Sequence, residues 1–227
     1  LQCKTPSEPL LPKRMKSFGA AAVNGCSTLP SAAEREDLVG RERLLCQVLR
    51  LLGGPGARRV VCVHGEAGVG KTAFVDFLAK FVRSPGRLFS GAVLYEQGWH
   101  SRKEPLHWLW LEALWVITGQ HSWALEAGLQ PDNSEQLRES LVAELSRCER
   151  RFLLIVDNAD MVTDVDDLIS PLLERTPNIS VVLTSKTPWR RDLAGFKVMD
   201  VGLPPLDGSS SAKLFLKRVH RPLNKRD

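Results

Sequence analysis

The chain has 227 residues, of which 43% are hydrophobic and 25% are charged, as is ordinary for a globular protein with a core. The formal net charge of +5 suits an anionic ligand. It falls short of the strongly basic balance of nucleic-acid-binding domains, so nucleic acid is not expected as a partner. No apolar run is long enough to cross a bilayer, so neither a membrane-spanning helix nor a membrane partner is expected.

The cysteines predict a reducing environment. They are odd in number and widely spaced, and no C-x-x-C pair occurs, which favours free thiols over disulfides or a zinc site. A cytoplasmic location follows, with the nucleus as an alternative because Pro12–Lys16 is a basic cluster. The five cysteines are Cys3, Cys26, Cys46, Cys62 and Cys148.

Two regions are predicted along the chain. Residues 1–34 are rich in Pro, Ser, Ala and Lys without periodicity, and indicate a linker or a poorly ordered arm. Residues 35–227 alternate helical and strand patterns. The predicted helices are 38–52, 72–83, 105–117, 134–150, 164–175 and 209–219, and the predicted strands are 59–63, 88–95, 152–157, 179–184 and 196–201.

This alternation predicts an α/β fold, a three-layer sandwich around a central, mainly parallel five-stranded sheet. The run Phe152–Val156 is apolar throughout, as expected for a strand that is buried on both faces of a parallel sheet.

A phosphate-binding loop is predicted between the first strand and the following helix. Gly65–Thr72 matches G-x-x-x-x-G-K-[ST], in which backbone N–H groups and a helix N-terminus surround a phosphate. Lys71 is expected to reach the β- and γ-phosphates, and the Thr72 hydroxyl to bind Mg²⁺. The predicted nucleotide-binding residues here are Gly65, Glu66, Ala67, Gly68, Val69, Gly70, Lys71, Thr72 and Ala73.

Acidic and cationic groups are expected opposite this loop. Asp157 ends an apolar strand and is the candidate carboxylate on the Mg²⁺ side, the Walker B element. Asn158 follows it and cannot accept a proton from water, so hydrolysis is expected to be slow; Asp160 is a base only if the loop curls back. Lys186, after the fourth strand, is the candidate cation that senses the γ-phosphate.

The ordered set of Val39–Glu42, the phosphate loop, Leu153–Asn158, Leu183–Lys186 and Leu206–Leu216 resembles the NB-ARC branch of the STAND NTPases. The resemblance covers residues 35–220. It implies that Val39 and Arg41 lie near an adenine base, hence ATP or ADP with Mg²⁺. The helical and winged-helix parts that follow in that family are not seen in this chain.

These observations predict an ATP- or ADP-binding regulatory switch domain of a STAND-type signalling protein, with slow or no ATP hydrolysis. Its partners beyond the adenine nucleotide are expected to be proteins, or further copies, bound through parts outside this chain. Two alternatives stay open: an AAA+-like remodelling ATPase, and a protein-interaction scaffold with a vestigial nucleotide site.

Overall fold

The computed structural model describes residues 38–53, 59–83, 88–95, 105–118, 134–163 and 165–219. The predicted arm, its basic cluster, Cys3 and Cys26 lie outside these ranges. The helices are α1 (Glu42–Gly53), α2 (Lys71–Arg83), α3 (Pro105–Thr118), α4 (Ser134–Arg147), α5 (Val165–Arg175) and α6 (Gly208–Arg218), with a 3₁₀ helix at Ala159–Met161. The strands are β1 (Val60–His64), β2 (Gly91–Tyr95), β3 (Phe152–Val156), β4 (Ile179–Ser185) and β5 (Val198–Gly202).

The five strands form one parallel sheet in the order β2-β3-β4-β1-β5. The predicted α/β fold is therefore confirmed. β4 pairs with β1 on one side and with β3 on the other, so it separates the strand before the phosphate loop from the strand before Asp157. The carboxyl ends of these three strands consequently meet at one edge of the sheet.

Alternating strand residues supply two hydrophobic cores, one on each face of the sheet. In β1, Val60 and Cys62 join the core that contains α3, α4 and α5 residues, whereas Val61 and Val63 join the core of α1 and α2. Helices thus cover both faces, which gives the three predicted layers. Trp110 of α3 is buried in the first of these cores.

Most boundaries differ from the sequence prediction by one to three residues. α4 ends at Arg147, earlier than predicted, and the Asn178 amide donates to the Cys148 carbonyl just beyond that end. None of the helices within the described ranges is both long and apolar enough to traverse a bilayer.

Candidate nucleotide-binding site

Two glycines of the phosphate loop adopt a backbone conformation that other residues rarely take. Gly68 has φ +79° and Gly70 has φ +97°, both in the left-handed region. A Cβ on either residue would meet no atom within 4 Å, so conformation rather than space requires glycine at these positions. The turn that they form leads directly into α2, whose first turn carries no acidic side chain. An anion at this helix N-terminus therefore competes with no acidic side chain of the helix itself.

Position 65 requires glycine because a side chain would have no room there. A Cβ on this residue would lie 2.5 Å from the Leu203 carbonyl oxygen, just after β5. The same region is held by two backbone hydrogen bonds: Gly65 N donates to Ser185 O at 3.2 Å, and Leu203 N donates to His64 O at 2.7 Å. The start of the loop is thereby tied to the ends of both neighbouring strands.

The Lys71 ammonium group lies against the loop itself. Its Nζ donates to Gly65 O at 2.8 Å and to Glu66 O at 2.9 Å, and the residue is only 7% exposed. Both acceptors are neutral carbonyl oxygens, and within the described ranges no carboxylate forms an ion pair with this ammonium group, so it is available to a bound anion. The other predicted loop residues are half-buried or exposed: Glu66, Ala67, Val69, Thr72 and Ala73.

Asp157 is buried at the end of β3 and accepts three side-chain hydrogen bonds. Thr72 Oγ1 and Asn158 Nδ2 donate to Oδ2, at 2.7 and 3.2 Å, and Thr184 Oγ1 donates to Oδ1 at 2.5 Å. The first of these contacts joins residues that are 85 positions apart. The structure thus brings together the two residues that the sequence assigned to Mg²⁺.

Thr184 belongs to this site although it was not among the predicted site residues. It is fully buried near the end of β4, and its Oγ1 accepts the Asn158 backbone N–H at 2.7 Å while donating to Asp157. The sequence signal was a polar residue at the end of an apolar strand. Only the position of β4 between β1 and β3 places that hydroxyl group against the carboxylate.

Asn158 adopts a left-handed conformation with φ 53° and ψ 51°. Asparagine tolerates this region better than most residues, which suits the sharp turn from β3 into the 3₁₀ helix. Its amide group donates to Asp157 and offers no proton-accepting carboxylate at this position.

Asp160 and Lys186 are both exposed. Asp160 lies in the 3₁₀ helix and Lys186 directly follows β4. Within the described ranges, no hydrogen bond joins either residue to Asp157, Thr72 or Lys71. Their predicted roles as base and sensor remain predictions.

The segment predicted to line the adenine pocket lies between the phosphate loop and the segment after β5. Arg41 donates through Nη1 to Pro204 O at 2.5 Å and through Nη2 to Val69 O at 3.1 Å. Burial lowers the pKa of the Arg41 guanidinium. Gly40 has φ +71°, and a Cβ there would lie 2.4 Å from Ser210 Oγ in α6. Val39, beside this turn, is half-buried.

Residues 37–183, well over half of the chain, match the AAA ATPase domain family. The chain belongs to this family. The match includes the phosphate loop and Asp157. Among curated protein sequences, none matches the chain.

Solved structures resemble this AAA ATPase domain at low identity. The Aeropyrum pernix Orc1 protein, in complex with DNA, has a TM-score of 0.54 and 16% identity over 85% of this chain. Caenorhabditis elegans PCH-2 has a TM-score of 0.44, 16% identity and 88% coverage of this chain. A STAND protein with a tetratricopeptide repeat sensor, from Pyrococcus horikoshii, has a TM-score of 0.41, 15% identity and 90% coverage.

At this level of identity these likenesses concern the fold alone. This AAA ATPase domain covers 50% of the Orc1 chain, 55% of the PCH-2 chain and 27% of the STAND chain. The chain thus spans about half or less of the length of these three proteins.

The residues of the AAA ATPase domain fit a magnesium nucleotide. Thr72 Oγ1 and Asp157 Oδ2 lie 2.7 Å apart and present the oxygen ligands that Mg²⁺ prefers. The glycine-built loop and Lys71 provide backbone and cationic partners for phosphate oxygens. When bound, the ion would neutralise phosphate charge, while Thr184 and Asn158 keep the Asp157 carboxylate oriented.

Proposed function

We propose that this AAA ATPase domain is a nucleotide-dependent switch that binds ATP or ADP with Mg²⁺ and hydrolyses ATP slowly or not at all. The observation that carries the proposal is the residue after Asp157. A base for the attacking water is expected there, yet Asn158 presents an amide group that is already donating to the Asp157 carboxylate. The site therefore binds nucleotide without the general base of a fast ATPase.

Each binding residue has a distinct role in this proposal. Lys71 and the loop N–H groups hold the phosphates, and Thr72 and Asp157 hold Mg²⁺. Val39 and Arg41 flank the adenine, since the Arg41 hydrogen bonds join the phosphate loop to the segment after β5. This arrangement supports a STAND- or NB-ARC-like class within the AAA ATPases, as the sequence resemblance implies.

The switch acts through the two loops that leave the site. Phosphate contacts at Lys71 and Lys186 would change the segments after β1 and β4, and parts outside this chain would transmit that change to protein partners or to further copies. Asp160 is the remaining candidate for a base. A cytoplasmic location remains a prediction from the cysteines of the sequence.

The first test is the rate of hydrolysis. Turnover below about 10⁻² s⁻¹, the scale of NTPases that lack an added catalytic group, is expected for the wild-type protein. Asn158→Asp keeps the size and the left-handed tolerance of the residue and adds a carboxylate, so turnover should rise at least roughly tenfold. Wild-type turnover near the enzyme median of about 10 s⁻¹ would contradict the switch. Loss of the residual turnover in Asp160→Asn would assign Asp160 as the base.

The second candidate is a remodelling ATPase. Family membership favours it, and the similar Orc1 protein was solved in complex with DNA, so the expectation against a nucleic-acid partner is not supported. DNA added to the same assay separates the two functions. A large stimulation of hydrolysis indicates remodelling, whereas an unchanged slow rate supports the switch. A vestigial scaffold is disfavoured because the buried Lys71 and the Thr72–Asp157 pair are intact.

A further inference from the structure

The Arg41 guanidinium joins two backbone carbonyl groups that are far apart in sequence. Its Nη2 donates to Val69 O in the phosphate loop at 3.1 Å, and its Nη1 donates to Pro204 O after β5 at 2.5 Å. These acceptors lie 28 and 163 positions along the chain from Arg41. A guanidinium group can hold both at once because its N–H groups form a rigid, planar fork.

The backbone beside Arg41 is itself fixed against the start of α6. Gly40 has φ +71°, and a Cβ there would lie 2.4 Å from Ser210 Oγ, so the chain passes this helix with no room for a side chain. Burial lowers the pKa of the Arg41 guanidinium, and the negative charge of Asp207 raises it in part. The guanidinium is therefore attached to a defined point of the fold and remains a cation.

The bond to Val69 O also determines where the next N–H points. The Val69 carbonyl and the Gly70 N–H belong to one peptide unit, and no peptide bond in the described ranges is cis. In a trans peptide these two groups point in opposite directions. The Gly70 N–H is thus directed away from Arg41, and no described residue accepts a hydrogen bond from it. It is available to a phosphate oxygen.

This peptide has little conformational preference of its own. Gly68 and Gly70 lie on either side of Val69, and both have positive φ angles, +79° and +97°. Glycine adopts positive and negative φ angles almost equally well, so the peptide between residues 69 and 70 can rotate at little cost. A side chain that fixes the carbonyl removes this freedom before the ligand arrives, and a donor that is already oriented binds an anion more tightly.

We propose that Arg41 is a positioning residue for phosphate binding, whose guanidinium holds the Val69 carbonyl so that the Gly70 N–H faces a phosphate of the bound nucleotide. The inference rests on the nucleotide site of the proposed function, but not on the rate of hydrolysis. It has a specific consequence. Arg41 contributes equally to the binding of any ligand that carries the same magnesium polyphosphate, whether or not the ligand has an adenine.

The first test compares two ligands, MgATP and magnesium tripolyphosphate, of which the second lacks the nucleoside. Arg41→Met keeps an unbranched side chain but has no donor, so it should raise both dissociation constants by the same factor, at least roughly tenfold, in isothermal titration calorimetry. Arg43→Met removes the same charge from an exposed position of α1 and should leave both constants unchanged.

The outcomes separate this inference from the proposed function. Weakened binding of MgATP alone would show that Arg41 acts on the base, and wild-type affinity of Arg41→Met for both ligands would show that it does not act at all. Either result overturns the inference, and so does a wild-type protein that binds MgATP but not millimolar tripolyphosphate. A wild-type protein that does not bind MgATP would instead contradict the proposed function.

A second measurement observes the peptide itself by nuclear magnetic resonance. Protein labelled with ¹³C′ in valine and ¹⁵N in glycine gives carbonyl–amide correlations only from Val–Gly pairs. The chain has three such pairs, Val39–Gly40, Val69–Gly70 and Val201–Gly202. Val69→Ile removes the signal of the loop pair and so assigns it. In Arg41→Met this signal should move in both dimensions, while the pair in β5 keeps its strand-like shift and shows that the fold is retained.

Arg41→Lys separates positioning from charge, because it keeps the cation but lacks the fork. Its affinity for tripolyphosphate should fall if the loop signal moves and should equal that of the wild type if the signal stays. A moved signal with wild-type affinity would overturn the inference. Weakened binding with an unmoved signal, in either Arg41 variant, would overturn it as well, since the charge would then act directly on the ligand.

Discussion

Thr184 shows how one buried hydroxyl group organises the nucleotide site. It links the Asn158 backbone to the Asp157 carboxylate, as both acceptor and donor. All its hydrogen-bonding partners are buried or half-buried, so water cannot replace the hydroxyl without rearrangement. The residue therefore sets the orientation of the carboxylate on which Mg²⁺ binding depends.

Thr184→Val should lower the free energy of unfolding by about 1–3 kcal/mol, because the valine keeps the shape but leaves the Asn158 N–H and the Asp157 carboxylate oxygen without a partner. Thr184→Ser keeps the hydroxyl and should lose clearly less. Chemical denaturation of both variants measures the difference. Equal destabilisation by serine and valine would show that the methyl group rather than the hydroxyl group matters.

Cys62 is a buried thiol in β1, next to the same edge of the sheet. Burial raises the pKa of the Cys62 thiol to about 12. The hydrogen bond with Ser185 lowers this pKa, but by less than burial raises it, and Asp200 raises it further. At pH 8 only about one thiol in ten thousand is then ionised. Iodoacetamide should accordingly modify the half-buried Cys46 and Cys148 faster in the native protein, as peptide mass spectrometry would measure. Modification of Cys62 at the rate of Cys46 would contradict this burial.

The same pKa predicts how stability depends on pH. The folded value lies above the ordinary value of 9.0, so the neutral thiol stabilises the fold fully below pH 9. That contribution falls as pH rises from 9 towards 12, by at most about 1.4 kcal/mol per pH unit. Denaturation series at pH 8 to 10.5 should show a steeper loss for the wild-type protein than for Cys62→Val, and parallel curves would exclude the effect.

At the scale of elements, the position of β4 between β1 and β3 determines which side chains meet at the nucleotide site. Its start is held by Arg59, the residue before β1. The Arg59 guanidinium donates to Leu173 O at 2.6 Å, to Ile179 O at 3.1 Å and to Thr176 O, and so joins the end of α5 to the start of β4. A cation near the last turn of α5 is also favourable to the helix dipole.

Arg59→Lys should destabilise the protein by about 1–3 kcal/mol, because a lysine ammonium cannot reach three carbonyl oxygens in the fork geometry of a guanidinium group. Arg43→Lys on α1 is the matched control, since Arg43 is exposed and should tolerate the change. Thermal and urea unfolding would measure both. An Arg59→Lys protein as stable as the control would mean that these carbonyl groups do not need the bridge.

At the scale of the whole molecule, nucleotide binding should stabilise the fold. At a free concentration of about 100 times the dissociation constant, a ligand that binds only the folded state adds about 2.7 kcal/mol. For a domain of this size, that corresponds to a rise in melting temperature of about 5–10 °C. ATP or ADP with Mg²⁺ should produce this rise, and GTP should produce less.

The matched variant is Lys71→Ala, which removes the cation that faces the loop and should abolish the rise in melting temperature. Omitting Mg²⁺ should reduce the effect of ATP, because Thr72 and Asp157 would then lack their ion. An unchanged rise with ATP in Lys71→Ala would refute the site assignment, and a larger rise with GTP would refute the adenine preference.

The sequence by itself determined the elements and the phosphate loop, because both are encoded locally. Periodicity marks helices and strands within a few neighbouring residues, and Gly68 and Gly70 are required by the backbone conformation of their own turn. The pairing of Thr72 with Asp157, 85 residues apart, was predictable only because both belong to motifs with known chemistry.

Only the tertiary structure decided the strand order and its consequences. No local pattern states that β4 lies between β1 and β3, since strand neighbours depend on how apolar faces of the whole chain pack together. The contact of Thr184 with Asp157 and the bridge from Arg41 to Pro204 across 163 residues follow from that order and packing. Their residue types are common at strand ends and in loops. They acquire a role only because the fold brings them close together, and the order of residues along the chain does not reveal this proximity.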